Sequence, residues 1–432
     1  MLTPIIDGIC RAEGPRLLAG LIRRIGDFEL AEDAMQDAFT RALEVWPAQG
    51  LPAAPAAWLT TVARRRALDL LRRRATGPLY TDEPPDMAAP DVGGDAAGES
   101  DGATLSGVED DRLRLVFTCC HPALAPAAQV ALALRTLGGL STREIARAFL
   151  EPEATTAQRL VRAKRKILDA RIPYAVPSRE LLPERLQAVL GVVYLVFNEG
   201  YATTEHDGLI RPDLCAEAIR LARLLVELLP EEPEAQGLLA LMLLHHARRA
   251  TRIGRDGALV PLEEQERGLW HREAIAEGLA VLEAALRQRR RGPYQLQAAI
   301  AALHAQAASA EQTDWPQIAA LYGGLLAEQP GPVVELNAAV ALAMAQGPEH
   351  GLAWIDRLER AGELAGYHLL PAARADLLRR LGRVGEAALA YRAALALVRN
   401  PAERLYLERR LGEAGTATER WPAVAGKPRL SA

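Results

Sequence analysis

Apolar residues recur at three- and four-residue spacing along almost the whole chain, a pattern that predicts α-helices and hardly any β-strand. Near the amino terminus the pattern is interrupted at Gly26-Asp27 and from Pro47 to Pro55, which predicts several helices in a small domain. From Pro183 to about Gly415, amphipathic segments alternate with shorter interruptions. These lie at Pro230, Pro261, Gly292-Pro293, Pro330, Gly347-Pro348 and Asn400-Pro401. The chain is therefore expected to be all-α.

Residues 141–167 predict two helices separated by a short break. Ser141 and Glu144 have the spacing of a capping box, in which each side chain satisfies a free backbone amide at a helix start. Pro152 suits the first position of a second helix. Leu150 and Glu151 form the break between the two helices. This unit has the dimensions of a helix-turn-helix, which places its second helix in the DNA major groove.

The predicted second helix has two contrasting faces. Its apolar face consists of Thr156, Ala157, Leu160, Ala163 and Ile167. Lys164 lies apart from the basic face and is expected to extend its stem along apolar surface with its ammonium in water. The opposite face consists of Thr155, Gln158, Arg159, Arg162, Arg165 and Lys166. Arginines can grip guanine or phosphate, and amides and hydroxyls can read base edges, so this face is a candidate DNA reader. A solvated cationic helix is the alternative.

A second basic helix is predicted from Trp58 to Arg74. Its core face is formed by Leu59, Ala63, Ala67, Leu70 and Leu71. The opposite arc carries Trp58, Val62, Arg65, Arg66, Asp69, Arg72 and Arg73. An aromatic ring among phosphate-binding groups suits unstacked DNA, although a lone tryptophan is also a common core residue.

The preceding helix, from Phe28 to Trp46, has an acidic outer face. This face consists of Glu29, Asp33, Gln36, Asp37, Thr40 and Glu44. Acidic side chains repel DNA and suit a basic protein surface, while an ordinary solvated helix has a similar composition.

The chain has a formal net charge of −4, so any DNA contact must come from local concentrations of basic residues. Residues 81–111 contain ten acidic residues and no basic residue, with many Gly, Pro and Ala. Such a composition cannot bury enough surface to fold alone, which predicts a flexible acidic linker. Fully extended, it would span about 100 Å. A specific acidic contact is the alternative.

These features predict six segments. They are a helical domain at 1–80, the linker at 81–111, a helix-turn-helix domain at 112–172, a linker at 173–183, a helical array at 184–415 and a tail at 416–432. Within the array, Gly382, Ala387, Tyr391 and Ala394 have the spacing of the second half of a tetratricopeptide repeat. Leu336 to Leu358 indicates another helix pair. The array is therefore expected to be a tetratricopeptide-like solenoid with degenerate repeats.

Other chemistry has little support in the sequence. Adjacent Cys119 and Cys120 lack the spacing of zinc ligands, and neighbours His245 and His246 point apart on a helix, so no metal or cofactor is predicted. The polar stretch Asn198 to Asp207 is expected to be a hydrogen-bonded loop, with a ligand pocket as the alternative. With few cysteines and no membrane-spanning run, a cytoplasmic location is expected.

Four segments in order resemble a bacterial extracytoplasmic-function sigma factor. They are AEDAMQDAFTRALEVW, WLTTVARRRALDLLRRR, LSTREIARAF and AQRLVRAKRKI, with the acidic spacer between the second and third. The resemblance covers about the first 172 residues. It implies a non-catalytic specificity subunit whose partners are core RNA polymerase and promoter DNA, with no membrane partner. The array is similar to the tetratricopeptide-like extension of one branch of these sigma factors.

The resemblance also implies roles for individual residues. Asp33, Gln36 and Asp37 would contact the clamp of the polymerase β′ subunit. Arg65 stands where the family commonly has Asn, and Leu150 where it has a turn Gly. The melted promoter element would be approached by the loop at 51–57 together with Trp58, Arg64, Arg65, Arg72 and, by its place on the basic arc, Arg73. The duplex element would be read by Thr155, Gln158, Arg159 and Arg162, with Arg165 and Lys166 on the same face.

Three hypotheses follow for the whole chain. In the first, it is a sigma factor whose extension regulates activity in cis, through contact with the sigma-like domains or in response to a protein or ligand. In the second, it is a helix-turn-helix regulator that binds DNA without serving as a polymerase specificity subunit. In the third, it is a helical scaffold or an enzyme that carries an incidental DNA-binding-like motif. A regulator needs only the helix-turn-helix, so the acidic helix and the Trp58 segment favour the first hypothesis.

Overall fold

A computed structural model describes residues 3–76, 105–149, 151–201 and 212–419. The chain divides into two compact units, Met1–Leu195 and Val196–Ala432. Within the described ranges most residues are helical, and β-type pairing is limited to an isolated bridge between Ile253 and Leu259. The prediction of an all-α chain is confirmed.

Three long helices open the first unit: α1 (Thr3–Ile25), α2 (Phe28–Gln49) and α3 (Pro55–Thr76). Asp27 begins α2, because its carboxylate accepts hydrogen bonds from the amides of Glu29 at 2.9 Å and Leu30 at 3.2 Å. Alanines on the inner faces bring the helices close together around fully buried Trp46 and Leu59.

Four further helices complete the described part of this unit before the division: α4 (Leu105–Cys119), α5 (Pro126–Thr136), α6 (Thr142–Ala148) and α7 (Glu153–Asp169). The predicted end of the acidic linker at residue 111 is wrong, since α4 begins at Leu105. Asp111 is only 4% exposed and pairs with Arg23 and Arg114, so this acid belongs to a folded interface and is not a solvated spacer residue. Residues 81–104 of the expected linker lie outside the described ranges.

The second unit is built from a succession of helices. Helix α8 (Leu182–Tyr201) includes the division between the units. It is followed by α9 (Pro212–Leu228), α10 (Pro233–Ala247), α11 (Arg272–Arg287), α12 (Pro293–Gln306), α13 (Trp315–Glu328), α14 (Pro332–Gln346), α15 (Pro348–Ala361), α16 (Leu369–Arg380), α17 (Val384–Leu397) and α18 (Pro401–Glu419). Short 3-10 helices cover Arg249–Thr251, Leu262–Glu264 and Arg267–Leu269. Each of the six proline or glycine breaks named from the sequence falls at or between helix ends.

Small residues allow successive helices of this unit to pack in pairs. Gly382 turns the chain between α16 and α17 with a φ of 71°, and Ala387, Tyr391 and Ala394 are buried in the shared core. Between α14 and α15, a Cβ on Gly351 would lie 2.4 Å from the Cβ of Ala343, which leaves no room for a larger residue. The tetratricopeptide spacing therefore predicted a real helix pair.

Within the described ranges, no helix is long and apolar enough to cross a membrane.

Candidate nucleic-acid interface

The capping box predicted at the start of the helix-turn-helix is present. The Ser141 amide donates to Glu144 Oε2 at 2.7 Å, and the Glu144 amide donates to Ser141 Oγ at 3.2 Å. Ile145 and Ala146 are buried and fix α6 to its domain. Leu150, expected at the turn position usually held by Gly, lies outside the described residues.

Helix α7 has the two faces that its sequence predicts. Thr156, Leu160, Ala163 and Ile167 are buried. Thr155, Gln158, Arg162, Arg165 and Lys166 are exposed on the other side. Arg165 lies 3.7 Å from Asp169, but both side chains remain largely in solvent, so this pair restrains Arg165 only weakly. Five of the six proposed duplex-reading residues are therefore available to a ligand.

Arg159, the sixth of these residues, is held by an intramolecular partner. Its two terminal nitrogens donate to the two carboxylate oxygens of Glu151 at 2.5 and 2.6 Å, and Thr156 Oγ1 donates to the same carboxylate at 2.5 Å. The Arg159 side chain is only 26% exposed. Glu151 therefore fixes the direction of Arg159, a role that spacing along one helix did not reveal because Glu151 precedes that helix.

Lys164 forms a largely buried ion pair, so the expectation that its ammonium reaches water is wrong. It contacts the carboxylate of Glu32 on α2, and the Lys164 and Glu32 side chains are only 13% and 10% exposed. Arg135 Nε on α5 lies 3.6 Å from the same carboxylate. Glu32 therefore connects α2 to both α5 and α7. The contact lies on the side of α7 that is opposite the basic face of that helix.

Two further polar contacts link α1 to the helix-turn-helix half of the first unit. Arg23 Nε lies 3.0 Å from Asp111 Oδ2. The Tyr174 hydroxyl lies 3.0 Å from the carbonyl oxygen of Ala19 and 2.9 Å from that of Asp111. Burial and the nearby Asp111 carboxylate raise the pKa of Tyr174, which stays a neutral hydrogen-bonding group.

Helix α3 presents its arginines as the sequence predicts, with Arg64, Arg65 and Arg72 exposed. The side chain of Arg73 lies outside the described residues. Trp58 is half-buried because its ring packs edge-on against Trp46, with ring centroids 5.3 Å apart. Trp58 thus has a structural contact and a partly accessible ring at the start of the basic helix.

The predicted acidic face of α2 is exposed throughout, including Asp33, Gln36 and Asp37. Asp37 accepts a hydrogen bond from Arg66 on α3, which ties one of the acids to the neighbouring basic helix. Asp33 makes no such contact with the residues that the structure describes, which makes it the more accessible of the two acids for a protein partner.

Cys119, Cys120 and His245, named from the sequence, have buried or largely buried side chains. Cys119 and Cys120 are buried thiols, and burial raises the pKa of Cys119 to about 12. Burial and the nearby Arg248 and Arg252 guanidinium groups hold the pKa of His245 well below its usual value. No group of three or more metal-binding side chains occurs in the ranges that the structure describes.

The stretch at 198–207 is described only as far as Tyr201, at the end of α8. Its ring stacks on Phe197 and lies under the guanidinium of Arg252, whose carbon is 3.6 Å from the ring centroid. Arg252 also donates to the Tyr201 carbonyl oxygen and so satisfies the end of α8. The described part of the stretch is therefore the last turn of α8, so the prediction of a loop is wrong for Asn198 to Tyr201.

The second unit also contains a cavity of about 790 Å³. Apolar side chains such as Leu336 and Met344 form part of its wall, with Trp315 beside them, and Asp376 and Arg380 add charge. Its size is that of a small-molecule or peptide site.

Three family models match the chain. Sigma-70 region 2 matches residues 9–76, sigma-70 region 4 matches residues 114–167, and a family of unknown function matches residues 185–286. The first match contains α2 and α3, and the second contains α6 and all but the last two residues of α7.

Individual relatives agree with these matches. An uncharacterized protein, R00370, of Rhizobium meliloti (strain 1021) is 46% identical over 92% of this chain and 93% of its own length. A probable ECF RNA polymerase sigma factor, SigI, of Mycobacterium tuberculosis is 31% identical over 40% of this chain and 57% of its own length. No solved structure matches.

Proposed function

We propose that this chain directs RNA polymerase to particular promoters as a non-catalytic specificity subunit. The chain belongs to the extracytoplasmic-function type of sigma factor, with sigma-70 regions 2 and 4 and a long helical extension. The observation that carries the proposal is the presence in one chain of an exposed acidic face on α2 and exposed basic faces on α3 and α7. A helix-turn-helix regulator that acts beside polymerase would need only the last of these.

Each face has a role in this proposal. The acidic face binds the clamp of the β′ subunit through Asp33, Gln36 and Asp37. The basic face of α3 holds the melted promoter element through Trp58, Arg64, Arg65, Arg72 and Arg73. The basic face of α7 reads the duplex element through Thr155, Gln158, Arg159, Arg162, Arg165 and Lys166. The separation of signs follows from electrostatics, because phosphates attract guanidinium groups and a basic protein surface attracts carboxylates.

Reconstituted transcription tests the proposal. Purified full-length protein is added to core polymerase free of other specificity subunits, on templates whose start sites were mapped after overexpression of the chain. A sigma factor confers specific initiation on the core enzyme, whereas a separate regulator binds the template and leaves the core enzyme unable to initiate. The second outcome would establish the regulator instead.

The clamp contact can be tested separately. Asp33→Lys reverses an exposed charge that pairs with none of the described residues, so folding is retained while capture of core polymerase is lost. Glu349→Lys, at an exposed position on α15, is the matched control and retains capture. Equal capture by both variants would remove Asp33 from the proposed interface.

We also propose that the extension regulates the sigma domains in cis. Support comes from its presence in the same chain, its own buried core and its cavity of about 790 Å³. Two truncations test this, one after residue 180 and one after Tyr201 that retains α8. Altered promoter-specific output in both would support regulation by the extension, and unchanged output and unchanged response to signals in both would refute it.

A further inference from the structure

A groove of about 330 Å³ lies between α1 and α3 in the first unit. Its lining includes the small residues Gly20, Ala56 and Ala57 and the buried side chains of Leu17, Leu21 and Leu59. Arg16 and Arg24 from α1 and Arg64 from α3 line it together. The arginines of α1 belong to no basic run in the sequence, and only the packing of the two helices brings them beside the arginine of α3.

The groove has an excess of positive charge that the described residues do not neutralise. Arg23 also lines the groove but is paired with Asp111, so the charges of these two residues cancel. Arg16, Arg24 and Arg64 are exposed and make no ion pair or hydrogen bond with the described residues, while Glu13 is the remaining acid in the lining. Guanidinium groups held near one another repel, and a bound polyanion would relieve that repulsion.

The position of the groove favours a DNA strand as the anion. Ala56 and Ala57 lie where the loop at 51–57 passes into α3, the segment that the family resemblance places at the melted element. Arg64 belongs to the same set. A strand bound to α3 at Arg64 would therefore also meet Arg16 and Arg24 of α1, which line the same groove.

We propose that this groove binds the phosphate backbone of a single DNA strand, with Arg16 and Arg24 as phosphate contacts and Arg64 shared with the α3 surface. The inference rests on the proposed function and adds α1 to the DNA-binding surface. Thr60 lines the groove, but its hydroxyl donates to the Ala56 carbonyl oxygen, so guanidinium groups dominate. Binding is therefore independent of base sequence.

The test compares binding of a fluorescein-labelled oligothymidylate of about 12 nucleotides by full-length wild type and by Arg16→Gln/Arg24→Gln. Losing two phosphate contacts lowers the slope of log K against log salt by about 1.4, which corresponds to a loss of affinity of at least about tenfold near 50 mM salt. Arg179→Gln/Arg392→Gln removes two other exposed, unpartnered arginines and is expected to leave the slope unchanged.

Two outcomes would overturn the inference. One is an unchanged slope in the groove variant with helical content equal to that of wild type. The other is an equal loss on duplex DNA of the same length, because that would mean the groove is not selective for a single strand. If wild type directs initiation by core polymerase but the groove variant binds like wild type, the groove assignment alone fails. If wild type does not direct initiation, the proposed function fails instead.

Discussion

Replacing Glu32 by Gln is expected to destabilise the first unit, because it leaves two cations without their shared carboxylate. The Lys164 side chain is 13% exposed and that of Arg135 is 23% exposed, so water compensates Lys164 poorly and Arg135 partly. At an effective dielectric constant of about 20, one unit charge 3.6 Å from another contributes roughly 4 to 5 kcal/mol before desolvation is counted. Removing one partner of a buried ion pair lowers the free energy of unfolding by about 3 to 5 kcal/mol. Because Arg135 is partly exposed, we expect a decrease of about 3 kcal/mol for Glu32→Gln.

Hydrogen exchange on the full-length chain measures this effect at its location. A decrease of about 3 kcal/mol in the free energy of opening makes the protected amides of α7 exchange roughly 100-fold faster. This holds under EX2 conditions, where the exchange rate is proportional to the equilibrium constant for opening. Glu44→Gln is the matched control, since its partner Arg41 lies on the same exposed face of α2 and such pairs contribute about 1 kcal/mol or less.

A double-mutant cycle decides whether the ion pair is the cause. Glu32→Gln/Lys164→Met removes both charges and should be more stable than the sum of the single changes predicts, because no unpaired ammonium remains. Additive effects, or α7 exchange in Glu32→Gln as slow as in wild type, would show that the contact does not hold α2 to α7.

Three further outcomes are expected. Burial, reinforced by nearby arginines, lowers the pKa of His304 from 6.5 to about 4, so only the unfolded chain gains this proton as pH falls from 6.5 towards 4. The melting temperature should therefore be lower at pH 5 than at pH 7, because this site lowers the free energy of unfolding by about 1 to 2 kcal/mol over that range. His304→Gln should reduce the difference, and an equal difference in that variant would contradict the lowered pKa of His304. Arg159→Ala should weaken promoter binding by about 1 to 3 kcal/mol if Arg159 reads a base. Glu151→Gln should raise affinity for unrelated duplex DNA by roughly two- to fivefold, because it removes a carboxylate beside the phosphates. Unchanged binding by both variants would show that Arg159 does not contact DNA. Gly351→Ala should lower unfolding free energy by about 1 to 3 kcal/mol, because its new methyl group would meet Ala343, and a wild-type melting curve would refute that close approach.

Local patterns in the sequence were sufficient for the helices and their faces. The Ser141–Glu144 capping box and the breaks at Pro230 and Pro293 depend on contacts within a few residues, so they can be read directly from the chain. The two faces of α7 follow from helical periodicity alone. The family resemblance rested on such segments in order, and the comparisons confirm it.

Long-range electrostatics could not be predicted in the same way. Glu32 is an unremarkable acid in the sequence, yet it becomes a buried partner of Lys164, 132 residues later. The same limit explains the error at the end of the acidic linker, where Asp111 pairs with Arg23. The charge of each residue was known from the sequence, but its partner was not.

The sequence by itself determined an all-α chain, the order of its helical segments and the faces that carry charge, because hydrophobic period, caps and prolines act over one or two turns. Tertiary structure decided which charges remain free for a ligand. It paired Lys164 with Glu32 and Arg159 with Glu151, and it gathered Arg16 and Arg24 from α1 beside Arg64. Electrostatic interactions depend on distance and burial in space, and neither quantity is fixed by position along the chain.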